Sequence, residues 1–231
     1  MVFYAPRKQK LSSDELPVPE GEIYEPYYSI MKKWILEARN YPHENYYIQS
    51  HDGLTLHAKY FEHAPGAVTE IMFPGYRGSA ERDLSGGIQR CFALGRNVLV
   101  VDQRTSCGSE GNVISFGINE HRDCLAWIDF AVNHFGPDVK LVLTGISMGA
   151  STVLMAAGKP LPENVVGVLA DCGFSSPKSI IRKCAKDRHY PVNLIYPFIR
   201  LGAKLFGHFD LGEYSPLEAM KTCKVPVIFF H

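Results

Sequence analysis

The residues best placed to do chemistry in this chain are Leu141-Val142-Leu143-Thr144-Gly145-Ile146-Ser147-Met148-Gly149-Ala150-Ser151. An apolar, strand-like run enters a turn with serine at its apex and glycine two positions to either side, then passes into small residues suited to a helix. Gly145 and Gly149 leave room for a strained turn and for close strand-to-helix packing. Ser147 is thereby pushed above a sheet edge, with the positive end of a helix beginning at Met148 directed at it. The pattern predicts a nucleophile elbow. The alternative is a serine that only caps a helix.

A nucleophilic serine requires an oxyanion hole, because the tetrahedral intermediate concentrates negative charge on one oxygen in a dry site. The backbone amide of Met148 is one expected donor. The Tyr76 amide is the other, in the loop of Ile71-Met72-Phe73-Pro74-Gly75-Tyr76-Arg77-Gly78-Ser79. Alone that loop would read as an ordinary glycine turn; beside the elbow it reads as an oxyanion loop.

These groups need a scaffold. Short apolar runs at Glu70–Phe73, Val98–Asp102, Leu141–Gly145, Val165–Asp171 and Val225–Phe230 alternate with longer helical stretches. Strands apolar on both faces belong in a parallel sheet covered by helices on both sides. Ahead of them, Tyr27–Ala38 predicts a helix with Ile30, Trp34 and Ile35 at helical spacing. Tyr46–Ser50 and Leu54–Phe61 predict a hairpin around His51-Asp52-Gly53. Leu125, Ile128, Val132 and Phe135 mark a helix face, with Asn119 as its cap. Residues 1–26 read as an irregular lead-in. The expected organisation is a lead-in and helix over 1–45, then an α/β domain over 46–231.

Residues 175–215 break the alternation. Ser176-Pro177 opens one helix, and Tyr190-Pro191 opens another that Pro197 is expected to kink or divide. Two helices inserted after the sixth strand make a cap. Arg182, Lys183, Lys186, Arg188, Arg200 and Lys204 make it locally basic, which the sequence reading assigns to a solvated helix face rather than an acidic ligand or a membrane.

Composition narrows the function classes. The 24 Lys and Arg cancel the 24 Asp and Glu, so no general affinity for nucleic acid or anionic lipid is expected. The apolar runs fall far short of the roughly 20 residues a spanning helix needs, so no stable membrane insertion is expected either. The first ten residues lack a secretory pattern, and a cytoplasmic location is the expectation. The six scattered cysteines include no pair at two-residue spacing, and we expect no metal and no cofactor, only idle thiols.

From Tyr46 onward the chain resembles the α/β-hydrolase superfamily, in particular its bacterial esterase-like and serine aminopeptidase-like branch. The resemblance rests on Phe73-Pro74-Gly75-Tyr76-Arg77-Gly78, on Asp102-Gln103-Arg104 with Gly108-Ser109-Glu110-Gly111, on Gly145-Ile146-Ser147-Met148-Gly149, and on Ser215-Pro216-Leu217-Glu218 leading into Val225–His231. Pro74 replaces the usual histidine before the oxyanion glycine, and Ser106-Cys107 replaces a usual histidine-glycine pair. Asp102 and Arg104 are expected to hold their loop rather than react.

The resemblance implies a serine hydrolase cleaving carboxylic esters through an acyl-enzyme, on a small-molecule ester or amide substrate. Aminopeptidase-like amide hydrolysis and a non-catalytic binding module are the alternatives. An aminopeptidase would need a carboxylate in the cap, for which Asp187, Asp210 and Glu213 are candidates.

Family order is serine, acid, histidine. It makes His231 a structural position and leaves Asp171 as the in-chain alternative for the acid. His43, His51, His57 and His63 belong to the lead-in and hairpin, His134 lies on the wrong side of the sheet, and His121, His189 and His208 are expected at the surface. The expectation is therefore a fragment, inactive by itself, whose parent supplies acid and base beyond His231 on a final strand and helix. A bare apolar edge at Val225–Phe230 points the same way.

Overall fold

The computed structural model describes residues 2–5 and 15–231. Much of the expected lead-in, at residues 1 and 6–14, lies outside the described residues. The remainder forms one seven-stranded sheet in the order β1-β2-β4-β3-β5-β6-β7. Its strands are β1 (Glu44–Gln49), β2 (Thr55–Phe61), β3 (Thr69–Phe73), β4 (Asn97–Asp102), β5 (Leu141–Ile146), β6 (Val165–Asp171) and β7 (Val227–Phe230). β2 pairs antiparallel with both β1 and β4, and every other pairing is parallel.

The central strands are buried and mostly apolar because each face meets a helix layer. Ile71, Leu99, Val101 and Leu143 pack with Trp127, Ile128, Ala131 and Val153 of α3 (Glu120–Phe135) and α4 (Met148–Ala157). The alternate residues Met72, Val98 and Val100 pack with Ala38 of α1 (Tyr28–Asn40) and with Leu84, Ile88 and Cys91 of α2 (Ala80–Ala93). This period-two division carries the core. β6 and β7 depart from the expected burial: Val166, Ile228, Phe229 and Phe230 are exposed, and β7 forms the sheet edge.

The expected elements shift at their ends by no more than two residues, and three details change. Asn119 precedes α3, but its side chain makes no capping bond. The Ser115 hydroxyl accepts from the Asn119 amide at 2.7 Å, and Glu120 accepts from the amides of Ser115 and Gly117. The buried face of α3 is also rotated, built on Cys124, Trp127, Ile128 and Ala131.

Pro197 does not divide its helix. The cap is α5 (Pro177–Asp187) and an unbroken α6 (Val192–Gly207), with Pro197 inside the latter. Ser176 caps α5 as expected, in a reciprocal box with Ser179. A short α7 (Pro216–Ala219) follows. All six cysteines are free.

Chain order fixes where a site can form. From β3 the next strand, β4, adds on one side and β5 on the other. Connections leaving in opposite directions open a crevice at the carboxyl ends of β3 and β5. The two loops singled out by sequence, 73–79 and 145–149, both start there.

Candidate active site

Ser147 occupies the single residue between β5 and α4, at φ 54° and ψ −111°. This is a region that side chains other than glycine rarely enter, so the serine is held under backbone strain. Its amide donates to the Asp171 carbonyl at 2.7 Å, fastening the turn to the end of β6. The two flanking glycines are sterically required. A Cβ at Gly145 would lie 2.2 Å from the carbonyl carbon of Gly149, and one at Gly149 would lie 2.1 Å from the Phe73 carbonyl oxygen. The β5–α4 and β3–α4 approaches leave no space for a methyl group.

The 73–79 loop abuts this turn, since a Cβ at Gly75 would stand 3.6 Å from the Ser147 Cβ. Three side chains fix the loop. Asp83 of α2 accepts from the Gly75 amide at 2.9 Å, Gln103 donates to the Pro74 carbonyl, and Ser106 donates to the Gly78 carbonyl at 2.8 Å. The Gly78 amide closes a turn onto the Gly75 carbonyl at 3.0 Å. Among the described residues these bonds use the amides of Gly75, Gly78 and Ser147, and none uses those of Tyr76 or Met148.

Ser147, Tyr76 and Met148 share one cavity of about 570 Å³. Its walls are largely apolar: Phe116 and Phe174 from loops, Ile180 and Ile181 from α5, Ile195 and Ile199 from α6. Arg77 and Arg188 are the charged residues that line it. Val2 lines it too. The amino-terminal residues are tied across the mouth by bonds from the Tyr76 hydroxyl to the Val2 carbonyl and from Arg77 to the Tyr4 carbonyl, at 2.7 and 3.0 Å. Burial in this wall raises the Tyr76 phenol above its ordinary pKa.

No described histidine lines the cavity with Ser147. His57 is buried between Asp102 and Asn45, at 2.7 and 2.8 Å, on strand β2. Three inter-strand steps of roughly 4.8 Å separate that strand from β5. His134 bonds the Tyr46 hydroxyl at 3.0 Å, and His189 and His208 are exposed on the cap.

His121 corrects the expectation of a surface position. It is buried, bonds the Gly117 carbonyl through Nδ1 at 2.9 Å, and burial pushes its pKa down to about 4. Asp171 stands at the end of β6 beside the elbow, its carbonyl accepting the Ser147 amide.

Asp102 and Arg104 act as supports. Asp102 accepts from His57 and from the Gly108 amide, and Arg104 spans Asp123 and Asp52. Although burial works to raise the Asp52 carboxyl, Arg104 and Ser50 hold it down at about 2. The supports at Asp83, Gln103 and Ser106 escaped the sequence reading. They join segments far apart in the chain and leave no local spacing to detect.

Comparison with known proteins agrees with this architecture. The family model described as alpha/beta hydrolase fold matches residues 71–190. Among curated proteins, the uncharacterized protein YqkD of Bacillus subtilis is 29% identical over 139 residues, which cover 60% of this chain. The match spans 46% of that relative's length.

Among solved structures, the Pyrococcus furiosus esterase Pf2001 aligns with a TM-score of 0.64 at 18% identity, covering 84% of this chain and 71% of that one. An acylaminoacyl peptidase of Pyrococcus horikoshii aligns at 0.56 and 16% identity, over 84% of this chain and 32% of its own. The sheet order, the strained serine between β5 and α4, and the matched span agree: the chain belongs to the α/β-hydrolase fold family.

Proposed function

We propose that this chain carries the nucleophile and oxyanion hole of a serine hydrolase that cleaves carboxylic esters. The observation carrying this reading is Ser147 at φ 54°, strained at the crevice and opening into the apolar cavity. Its Oγ attacks the ester carbonyl while a general base takes its proton, giving a tetrahedral intermediate. The Tyr76 and Met148 amides donate to the developing oxyanion. Collapse forms the acyl-enzyme and releases the alcohol, which regains the proton. Water then attacks the acyl carbonyl and frees Ser147.

No described histidine lines the cavity with Ser147, so this reading draws its general base from elsewhere in the full-length protein.

Esters are favoured over amino-terminal amides by the charge of the cavity. Arg77 and Arg188 line it, and no carboxylate does, so nothing there receives a free amine. Two of the carboxylates considered for that role are engaged elsewhere, Asp210 by Arg200 and Lys204, and Glu213 by Arg122.

A fluorophosphonate probe with the full-length parent tests the reading. Labelling of Ser147, lost in Ser147→Ala, is expected. A folded parent that resists the probe would instead support the binding-module alternative. Hydrolysis of aminoacyl anilides in preference to p-nitrophenyl esters would overturn the substrate class.

A further inference from the structure

Helix α6 shows different chemistry on each side. Ile195 and Ile199 face the cavity, and Tyr196 and Ala203 are buried in the cap's own core. Arg200 and Lys204 reach Asp210 at 2.8 Å each. The remaining side presents Leu194, Phe198, Leu201 and Leu205, which are 65%, 69%, 52% and 59% exposed. At 3.6 residues per turn these four fall within an arc of about 60° and make a stripe about 16 Å long. Phe206 and Tyr190 extend the exposed apolar surface at its two ends. A continuous apolar helix face left in water marks a surface that something covers.

Charge identifies the cover. The whole chain is neutral, yet residues 177–210 hold seven Lys and Arg against two acids, Asp187 and Asp210. Lys178, Lys183, Lys186 and Arg188 are exposed and form no ion pair among the described residues. A second copy would bring the same positive charge against itself. An anionic bilayer complements both the stripe and the cations, in the manner of helices that lie in the interface plane. No described helix is long and apolar enough to cross a membrane, so the contact is peripheral.

We propose that the cap docks α6 on an anionic lipid surface, with Leu194, Phe198, Leu201 and Leu205 entering the headgroup boundary and the basic side chains of α5 contacting lipid phosphates. The basic cap is then more than a solvated face. Docking sets Arg188 and Tyr190, which line the cavity, beside the lipid.

Co-sedimentation of the full chain with vesicles tests this, using phosphatidylcholine alone and phosphatidylcholine mixed with phosphatidylglycerol. We expect binding to the mixed vesicles, release by high salt, and affinity losses of about tenfold or more in L194S/F198S and in K183E/K186E. Unchanged far-ultraviolet dichroism in both variants verifies the fold. Chain that stays in solution, or binds neutral and anionic vesicles equally, overturns the proposal. A salt-resistant dimer in light scattering that L194S/F198S splits would assign the stripe to a second copy and also overturn it. Ser147→Ala should bind vesicles as the parent sequence does, so docking and hydrolysis can fail separately.

Discussion

The Ser147 amide donates to the Asp171 carbonyl at 2.7 Å, so Asp171 holds the elbow through its backbone. No described histidine lines the cavity with Ser147. Asp171→Asn keeps the backbone bond and removes only the charge. In the full-length parent, the rate of fluorophosphonate labelling should fall by less than about tenfold. A loss near ~10⁴, as when a triad carboxylate is neutralised, would make Asp171 the catalytic acid after all.

The strain at Ser147 has a stability signature. Glycine occupies φ 54°, ψ −111° at little cost, whereas alanine is no better suited than serine. Ser147→Gly should therefore raise urea stability by about 1 kcal/mol, and Ser147→Ala should leave it within about 0.5 kcal/mol. Equal stability of all three proteins would show that the turn is not strained.

Gly145 and Gly149 make the opposite prediction. The groups that an added methyl would meet are backbone atoms at 2.2 and 2.1 Å, and neither can swing aside as a side chain would. Gly145→Ala and Gly149→Ala should each cost at least about 3 kcal/mol in urea unfolding, or prevent soluble expression. Ala157, a small residue at the far end of the same helix, sets the scale: Ala157→Gly should cost only about 1 kcal/mol.

What the sequence made legible and what it hid follow from range. Strands β3, β4 and β5 stood out because burial on both faces favours short runs of consecutive apolar residues, such as Ile71–Phe73, Val98–Val101 and Leu141–Leu143. The elbow stood out because its steric demands fall on residues within five positions. The Asp83, Gln103 and Ser106 supports act across 8 to 29 residues and carry no spacing rule. Val2 on the cavity wall is more distant still, with Tyr76, its hydrogen-bond partner, 74 positions away. The rotation of α3 was hidden because Cys124, Trp127 and Ala131 compete with an equally periodic apolar stripe one residue later. His121 lies on that second stripe, four positions before Leu125, and its polarity masked an inward position that the spacing implied.

The burial of His121 makes stability depend on pH in a defined window. Its folded pKa is depressed from 6.5 to about 4, so between these values the unfolded chain binds more protons and stability falls as the solution is acidified. The contribution is complete above pH 6.5 and is lost as pH falls toward 4. Between about pH 7.5 and about pH 4.5 the loss amounts to about 2 kcal/mol. His121→Gln retains an amide that can reach the Gly117 carbonyl but cannot titrate, and its urea stability should change by correspondingly less over that interval. Asp52, held near 2, titrates below the window, whereas burial raises Asp123 to about 6 inside it in both proteins, so the difference between the two profiles is what reports His121. Parallel pH profiles for the two proteins would mean that His121 is protonated in the folded state without penalty.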